Sequence, residues 1–302
     1  FDRSYDPKFI FGNNVTAKVI YPPARHPWLW YTWFELALPR VLKKWQADVF
    51  FSPDGYCSLH SSVPTVMVTH DIAHLHYPDQ IPENVRNYYL KNVPRFIQRA
   101  EQVVTVSHFV KEDIIEHYGA AADKISVACN GIKQGFGPIP EEDKIAIRKE
   151  YAGGKEYFFY LGAVHPRKNV PRLIAAYDEY RKAGGSPAKL LIGGRLAWQT
   201  SATKRAHENA DFYPDIKFLG YVPGADLPKL YASAKALIYP SLSEGFGVPV
   251  LEAMHAEVPV ITSNSTSLPE VAGDAGLLVD PLKVEEITAA MLRLDWEPAL
   301  GK

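Results

Sequence analysis

Residues Ala236 to Met254 read Ala-Leu-Ile-Tyr-Pro-Ser-Leu-Ser-Glu-Gly-Phe-Gly-Val-Pro-Val-Leu-Glu-Ala-Met, the pattern of a strand, a loop with two glycines and a helix. The apolar run at 236–240 predicts a buried strand, and Pro249 fits a first helical turn, where its missing N–H costs nothing. Glycine lets the backbone approach a ligand, and a helix N-terminus offers N–H groups and a partial positive charge. The stretch therefore predicts a phosphate site at a strand–loop–helix junction.

The same alternation of short apolar runs and helix-length amphipathic segments continues along the chain, and it predicts parallel sheets with helices on both faces. The predicted strands are 17–21, 48–52, 65–70, 102–107, 125–129, 157–163, 188–193, 216–222, 236–240, 258–263 and 276–279. The predicted helices are 29–44, 83–99, 109–118, 141–151, 169–184, 201–208, 225–233, 248–256 and 284–294.

A linker is expected at 132–142, which is rich in glycine and proline and ends on an acidic run. We therefore expect an α/β fold of two doubly wound, Rossmann-like domains, 1–140 and 141–302, that face a cleft. In such sheets ligands bind at the carboxyl ends of the strands.

The composition excludes several classes of protein. A net charge of −1 over 302 residues gives no field that would select nucleic acid. Two cysteines provide no disulfide framework and fit a reducing cytoplasm, and no apolar run approaches the length of a membrane span. The cytoplasm is the expected location.

A second strand-to-helix junction, Tyr160 to Asn169, reads Tyr-Leu-Gly-Ala-Val-His-Pro-Arg-Lys-Asn. Arg167 and Lys168 would oppose the dipole of the following helix unless an anion lies nearby. Fixed cations stabilise the negative charge that develops on a diphosphate leaving group. A solvated helix start is the plain alternative for this basic pair.

With these two junctions, the chain resembles the retaining glycosyltransferases of family 4, which have the GT-B fold, over nearly its whole length. The Gly-Phe-Gly-x-Pro loop, Glu-Ala-Met and the Arg-Lys pair carry the resemblance. It implies that Glu244 contacts the transferred sugar, that Glu252 binds the ribose hydroxyls, and that Arg167 and Lys168 hold the diphosphate. The remaining contacts to the nucleotide sugar that it implies in this domain are Gly162, Gly245, Phe246, Gly247, Tyr221 and Val222. The family often has arginine where Ala163 stands, and Arg195 is a candidate replacement.

In the first domain the resemblance implies that His70 contacts the transferred sugar, and it matches Ser107 and Asn130 to two further family positions. Ser107 is also expected to cap the helix that begins near 109. Zinc binding by His70, His74 and His76 is disfavoured, because this spacing straddles a loop and no cysteine is near. No metal ion and no cofactor besides the nucleotide sugar are expected.

The resemblance implies that the first strand and Gly-rich loop with which relatives begin, and their terminal crossing helix, are missing here, so the resemblance alone does not predict that this polypeptide is active. Residues 27–45 combine aromatic and basic residues, which predicts either peripheral contact with the inner face of a membrane or, preferably, a core helix.

The expected activity is metal-independent, retaining transfer of a hexose, with GDP-mannose favoured over UDP-sugars, to a glycan or lipid-linked sugar in polysaccharide biosynthesis. The sequence shows no candidate carboxylate for a double displacement, which favours a front-face route. The alternatives are another GT-B enzyme, such as a nucleotide-sugar epimerase or a glycogen-type synthase, and a non-catalytic nucleotide-sugar-binding remnant.

Overall fold

The computed structural model describes residues 1–24, 26–195 and 201–297, and the chain divides into two compact units, 1–129 and 130–302. The second unit therefore begins before the predicted boundary between residues 140 and 141, and it includes the predicted linker at 132–142. Among the described residues, no helix combines the length and the hydrophobicity that a membrane span requires. Both cysteines are free, Cys57 buried and Cys129 exposed.

The first unit contains a four-stranded sheet in which all strands are parallel and neighbours in sequence are neighbours in space. Its strands are β1 (Phe50–Ser52), β2 (Thr65–Thr69), β3 (Gln102–Thr105) and β4 (Ile125–Val127). Its helices are α1 (Pro27–Tyr31), a π-helical turn (Thr32–Ala37), α2 (Leu38–Lys44), α3 (Ala73–His76), α4 (Glu83–Arg99) and α5 (His108–Tyr118). Short 3₁₀ turns lie at Pro7–Phe9, Pro78–Gln80 and Ala122–Lys124.

The strand predicted at 17–21 is wrong. This segment makes two backbone hydrogen bonds with Phe1, from its terminal ammonium to the Lys18 carbonyl and from Ile20 N–H to the Phe1 carbonyl. Two bonds to one residue do not form a ladder, and Pro22 and Pro23, which follow directly, have no N–H to extend one. The segment is therefore apolar in sequence but irregular in structure.

The second unit contains a six-stranded parallel sheet with the order β10-β9-β8-β5-β6-β7. Its strands are β5 (Tyr157–Leu161), β6 (Lys189–Gly193), β7 (Ile216–Gly220), β8 (Ala236–Tyr239), β9 (Val260–Ser263) and β10 (Gly276–Val279). The order runs in one direction from β5 to β7 and in the other from β8 to β10, so the direction reverses between β5 and β8. Ligands of open α/β sheets bind at such a switch point.

The helices of the second unit alternate with the strands as predicted, except that the sequence does not predict the helix at 268–272. They are α6 (Glu141–Ala152), α7 (Val170–Lys182), α8 (Ser201–Asn209), α9 (Leu227–Ala232), α10 (Val248–His255), α11 (Leu268–Ala272) and α12 (Val284–Trp296), with 3₁₀ turns at Pro166–Lys168, Tyr213–Asp215 and Gly273–Ala275. The core is rich in aromatic side chains that are fully or almost fully buried: Tyr157, Phe158, Phe159, Tyr160, Tyr177, Tyr180, Tyr231 and Tyr239.

Candidate functional site

The two predicted junctions meet at the switch point of the second unit. β5 leads into the loop that carries Arg167, and β8, its neighbour in the sheet, leads into the loop that begins at Pro240. The loops are joined at the Arg167 carbonyl, which accepts hydrogen bonds from Leu242 N–H at 2.8 Å and from the Ser241 hydroxyl at 3.1 Å. The tertiary structure therefore fixes the basic pair beside the glycine-rich loop.

A cluster of ionic and phenolic groups lies where these loops meet. The Lys168 ammonium is 2.5 Å from Glu244 Oε1 and donates to the Tyr239 hydroxyl at 2.8 Å. That hydroxyl in turn donates to the same Glu244 oxygen at 2.8 Å. Arg167 Nη1 is 4.0 Å from Glu244 Oε2 and donates to the Ser243 carbonyl at 2.7 Å. Two cations face one carboxylate, which leaves a net positive charge in the cluster.

The charge state of Glu244 follows from these partners. Its exposed fraction is only 8 %, and burial by itself raises the pKa of a carboxyl group. The charges of Lys168 and Arg167 act in the opposite direction and hold the pKa of Glu244 below its usual value. Glu244 is therefore a buried carboxylate that stays ionised at neutral pH.

Hydroxyl groups from the next strand and helix fix the loop that carries Glu244. The Glu244 N–H donates to Thr266 Oγ1 at 3.2 Å. The Ser267 hydroxyl donates to the carbonyls of Glu244 at 3.0 Å and Phe246 at 2.9 Å, and the Ser263 hydroxyl donates to the Ser241 carbonyl at 2.6 Å. These bonds satisfy buried backbone carbonyl groups and hold the loop in place in the absence of a ligand.

Gly247 sets the start of helix α10. It has φ of 107° and ψ of 48°, and a Cβ at this position would lie 2.6 Å from Leu268 Cδ2. The N–H groups of Phe246 and Gly247 have no acceptor within the described ranges. Free N–H groups at the start of a helix are what an anionic ligand requires, so the geometry fits the predicted phosphate site.

Glu252 lies in the second turn of α10 and has the same exposed fraction as Glu244, 8 %. Burial raises its pKa above the usual value, and the opposing influences of Tyr231 and of the Lys133 charge are too weak to reverse this. No cation lies within ion-pair distance of Glu252 among the described residues. The carboxyl group lies near the Tyr231 hydroxyl and is also positioned to accept hydrogen bonds from a ligand.

Asn169 fastens the basic pair to the sheet. It lies at the N-cap of α7 in a left-handed conformation, with φ of 60°. Its side-chain amide donates to the carbonyls of Pro240 at 3.0 Å and Pro281 at 2.6 Å, and its amide oxygen accepts from Arg172 at 3.0 Å. Asn169 therefore links the loop of the basic pair to the segments that follow the strands β8 and β10.

The other predicted contacts of this unit lie at strand ends. Gly162 N–H donates to the Gly193 carbonyl at 2.9 Å, and Arg195, which is exposed, accepts from Val164 N–H through its carbonyl at 2.9 Å. Tyr221 and Val222 follow β7, the first highly exposed and the second buried. Gly245 belongs to the Glu244 loop, and Asn130 is the first residue of the unit. Contacts of these residues with a ligand stay predictions.

His70 and Ser107 lie in the first unit, each directly beyond the end of a strand. His70 Nε2 is 3.0 Å from the Pro53 carbonyl, and its side chain is exposed. The Ser107 hydroxyl accepts from Val110 N–H at 3.2 Å, which confirms that Ser107 caps α5. Their roles toward substrate stay predictions.

The rings of His70, His74 and His76 have three different partners. His74 Nε2 lies 2.8 Å from the Tyr118 hydroxyl, and His76 Nε2 lies 2.9 Å from the Asp113 carboxylate. The three histidines therefore do not form a common ligand set.

Residues 27–45 have features of both predicted roles. Leu38 and Glu35 are buried, and the Glu35 carboxylate accepts hydrogen bonds from Leu59 and His60 N–H groups. Trp28 and Trp45, in contrast, are 65 % and 54 % exposed. The segment packs on its unit, and membrane contact by its exposed aromatic residues stays a prediction.

Sequence reasoning missed Tyr239, Tyr231, Thr266 and Ser267, which all contact or face the predicted glutamates. Tyr239 was detectable in principle, because it is the last residue of the strand that feeds the glycine loop. The other three belong to segments without a motif, and the fold alone brings them to the site.

Comparison with known proteins agrees with this architecture. The family model described as Glycosyl transferases group 1 matches residues 141–295, and that of Glycosyltransferase Family 4 matches residues 2–134. O-antigen chain mannosyltransferase B of Escherichia coli is 34 % identical over 84 % of this chain and 66 % of its own length. O-antigen chain mannosyltransferase RfbU of Salmonella typhimurium is 30 % identical over 91 % of this chain and 71 % of its own length.

Solved structures share the fold at low sequence identity. HepE of Anabaena, solved with UDP and glucose, superposes with a TM-score of 0.73 at 19 % identity, over 87 % of this chain and 72 % of its own. A glycosyltransferase of Rickettsia africae gives 0.72 at 18 % identity, over 98 % of this chain and 79 % of its own. These similarities show the GT-B fold.

Proposed function

Because this chain belongs to the group 1, family 4 glycosyltransferases, we propose that its second unit binds a nucleotide diphosphate sugar, from which the protein transfers a hexosyl group to a glycan or lipid-linked sugar hydroxyl. The observation that carries this proposal is the convergence of Lys168, Arg167 and Glu244 at the switch point. A net positive cluster beside a helix N-terminus is suited to a diphosphate.

Each group has a role in this proposal. Lys168 and Arg167 bind the diphosphate, together with the N–H groups of Phe246 and Gly247. Glu252 accepts hydrogen bonds from the ribose diol, for which a carboxylate offers two oxygens. Glu244 orients Lys168 and contacts the hydroxyl groups of the sugar.

Transfer breaks the bond between the sugar C1 and the diphosphate oxygen and forms a bond from C1 to the acceptor oxygen. The acceptor proton moves to the leaving diphosphate, whose negative charge Lys168 and Arg167 stabilise. In a front-face route both events occur on one face of the sugar, and the configuration at C1 is retained. Lys168 and Arg167 stabilise the leaving group in the place of a metal ion, so we expect that the transfer needs none.

GDP-mannose is the proposed donor. Several relatives that this chain resembles are named as mannosyltransferases, among them O-antigen chain mannosyltransferase B. An acceptor in polysaccharide synthesis is proposed on the same ground. A UDP-sugar donor is the alternative, and HepE was solved with UDP and glucose.

The experiment measures binding and turnover separately. GDP and UDP are first titrated against the protein by calorimetry, in EDTA and then in Mg²⁺, and we expect GDP to bind more tightly and equally well in both. Transfer of radiolabelled mannose from GDP-mannose to a lipid-linked glycan is then measured. Tight GDP binding without transfer or donor hydrolysis would favour the non-catalytic alternative. Failure of both nucleotides to bind would overturn the site assignment.

A further inference from the structure

Three side chains with metal-binding atoms converge in the first unit, apart from the residues discussed above for donor binding. His76 ends α3, whereas Asp113 and His117 lie one turn apart on one face of α5. His76 Nε2 is 2.9 Å from both Asp113 carboxylate oxygens, and His117 Nδ1 is 3.1 Å from Asp113 Oδ1. The three ligand atoms lie within 4.8 Å of one another.

We propose that His76, Asp113 and His117 bind Zn²⁺. Two imidazole nitrogens and one carboxylate oxygen are ligands that zinc prefers, and three protein ligands with water in a fourth position form a common tetrahedral set. The inference does not depend on the proposed transferase activity, since none of the three residues belongs to the donor site.

The distances between the ligand atoms suit a zinc ion after a small expansion of the site. Zinc bonds of about 2.0–2.1 Å in a tetrahedron place neighbouring ligand atoms roughly 3.3 Å apart. The two measured separations between histidine nitrogen and carboxylate oxygen, 2.9 and 3.1 Å, are shorter by a few tenths of an ångström. Ordinary rotations of the three side chains provide that change.

The site is also accessible to an ion from solvent. The Asp113 side chain is buried, whereas those of His76 and His117 are 34 % and 35 % exposed. An ion can therefore enter from solvent and keep one water ligand. Its charge would remain balanced in part by the buried carboxylate, which is otherwise shared by two imidazoles.

The ion would join two helices of unequal stability. α3 has four residues, too few to be stable alone, and it follows the His70–Asp71 turn at the end of β2. Asp71 Oδ1 accepts from Ala73 N–H at 3.0 Å, so the turn and α3 form one segment. Zinc would fasten this segment, and with it His70, to the longer α5.

The alternative is that Asp113 only forms hydrogen bonds with the two rings. His117 Nδ1 also lies 3.0 Å from the Asp113 carbonyl, and a zinc bond at Nδ1 would replace this contact. Binding would displace a proton from each imidazole nitrogen that carries one, so zinc uptake would release protons.

The test uses the whole chain after dialysis against EDTA. ZnCl₂ is titrated while thermal unfolding is followed, and Co²⁺ is added separately to observe the visible absorption of a cobalt–imidazole site. We expect saturable stabilisation with one ion per chain, and an affinity at least tenfold lower in His76→Gln and in His117→Gln. His26→Gln removes an exposed histidine of the same unit and should bind zinc as the unchanged protein does.

Both ligand variants replace partly exposed rings, so their folding can be verified by circular dichroism without the ion. Absence of saturable stabilisation in the unchanged protein would overturn the proposal. So would unchanged zinc affinity in both His76→Gln and His117→Gln, because the ion would then bind elsewhere.

Discussion

Glu244 and Glu252 flank the same glycine turn and have the same exposed fraction, yet their pKa values shift in opposite directions. Burial acts on both in the same sense, since it raises the pKa of each carboxyl group. Lys168 and Arg167 reverse the effect at Glu244, and among the residues that the structure describes no ion pair does so at Glu252. The charged partner of each glutamate, and not its degree of burial, therefore determines whether the ionised carboxylate is already stabilised by the protein.

This difference matches the proposed roles. Glu244 is satisfied before any ligand binds, so it can hold Lys168 in place for the diphosphate. Glu252 has no ion pair within the described part of the chain, so the hydroxyls of a ribose would provide donors for its carboxylate. One glutamate belongs to the preorganised charge cluster, and the other is available to the ligand.

Removal of Lys168 should have the largest effect, because it removes the ion pair that distinguishes Glu244 from Glu252. Lys168→Met should lower transfer by about 100- to 1,000-fold, the range found when one donor to a developing oxyanion is lost. It also leaves Glu244 buried with only Arg167 nearby, at a cost of about 3 kcal/mol in the free energy of unfolding. Initial rates and urea unfolding at pH 7 measure the two effects.

The double variant Lys168→Met/Glu244→Gln separates these effects. A neutral amide at 244 removes the unpaired charge, so most of the stability should return while transfer stays low. Unchanged transfer and unchanged donor affinity in Lys168→Met would contradict the diphosphate assignment.

Gly247→Ala tests the turn that separates the two glutamates. The added Cβ meets Leu268 and the backbone conformation disfavours it, so we expect a loss of about 1–3 kcal/mol in the free energy of unfolding and weaker nucleotide binding. Gly119→Ala is the control, because Gly119 is also left-handed but has open space around its Cβ position. It should cost about 1–2 kcal/mol and leave nucleotide affinity intact.

The paired variants Glu244→Gln and Glu252→Gln test directly whether the two carboxyl groups contribute oppositely to stability at pH 7. Glu244→Gln should lower the free energy of unfolding by about 1–3 kcal/mol, the value of hydrogen bonds to charged groups. Glu252→Gln should raise it slightly, because the fold favours the neutral form of that side chain, yet it should weaken nucleotide binding. Urea unfolding of both proteins in one buffer provides the measurement, and changes of the same sign would disprove our account of the two carboxylates.

The smallest expected effects concern pH. The folded pKa of Glu244 lies below its unfolded value of about 4.5, so its stabilisation is present above that pH and is lost as pH falls through the folded pKa. The folded pKa of Glu252 lies above the unfolded value, so its contribution is present below about pH 4.5 and is lost as pH rises through the folded pKa.

The pH dependence of nucleotide affinity tests the protonation of Glu252. Because ribose hydroxyls donate to the ionised form, affinity should decrease a few-fold as pH falls from 7 toward 4.5, and Glu252→Gln should abolish that dependence. Calorimetric titrations with GDP-mannose, whose diphosphate diester does not titrate across this range, test the expectation for both proteins. A pH dependence that is unchanged in the variant would assign it to another group.

The parallel strands, the glycine loop with its helix and the basic pair could all be predicted from the sequence alone. Apolar runs predicted the parallel strands except at 17–21, where two backbone hydrogen bonds with Phe1 do not form a ladder. Pro249 and the glycines gave the loop and the helix that carry Glu244 and Glu252. The Arg167–Lys168 pair was also visible, because cations at a helix start need an anion nearby. All of these signals depend on neighbours in the chain.

Which of these strands, loops and helices lie next to one another follows from the tertiary structure and not from the sequence pattern. The strand order places β5 beside β8, so Lys168 reaches Glu244 across 76 positions of sequence, and Tyr239 and Ser267 complete a cluster that no motif contains. It likewise brings His76 to Asp113 and His117 from different helices. The physical reason is that charge, burial and hydrogen bonding act over a few ångströms of space, and sequence spacing does not specify those distances between separate elements.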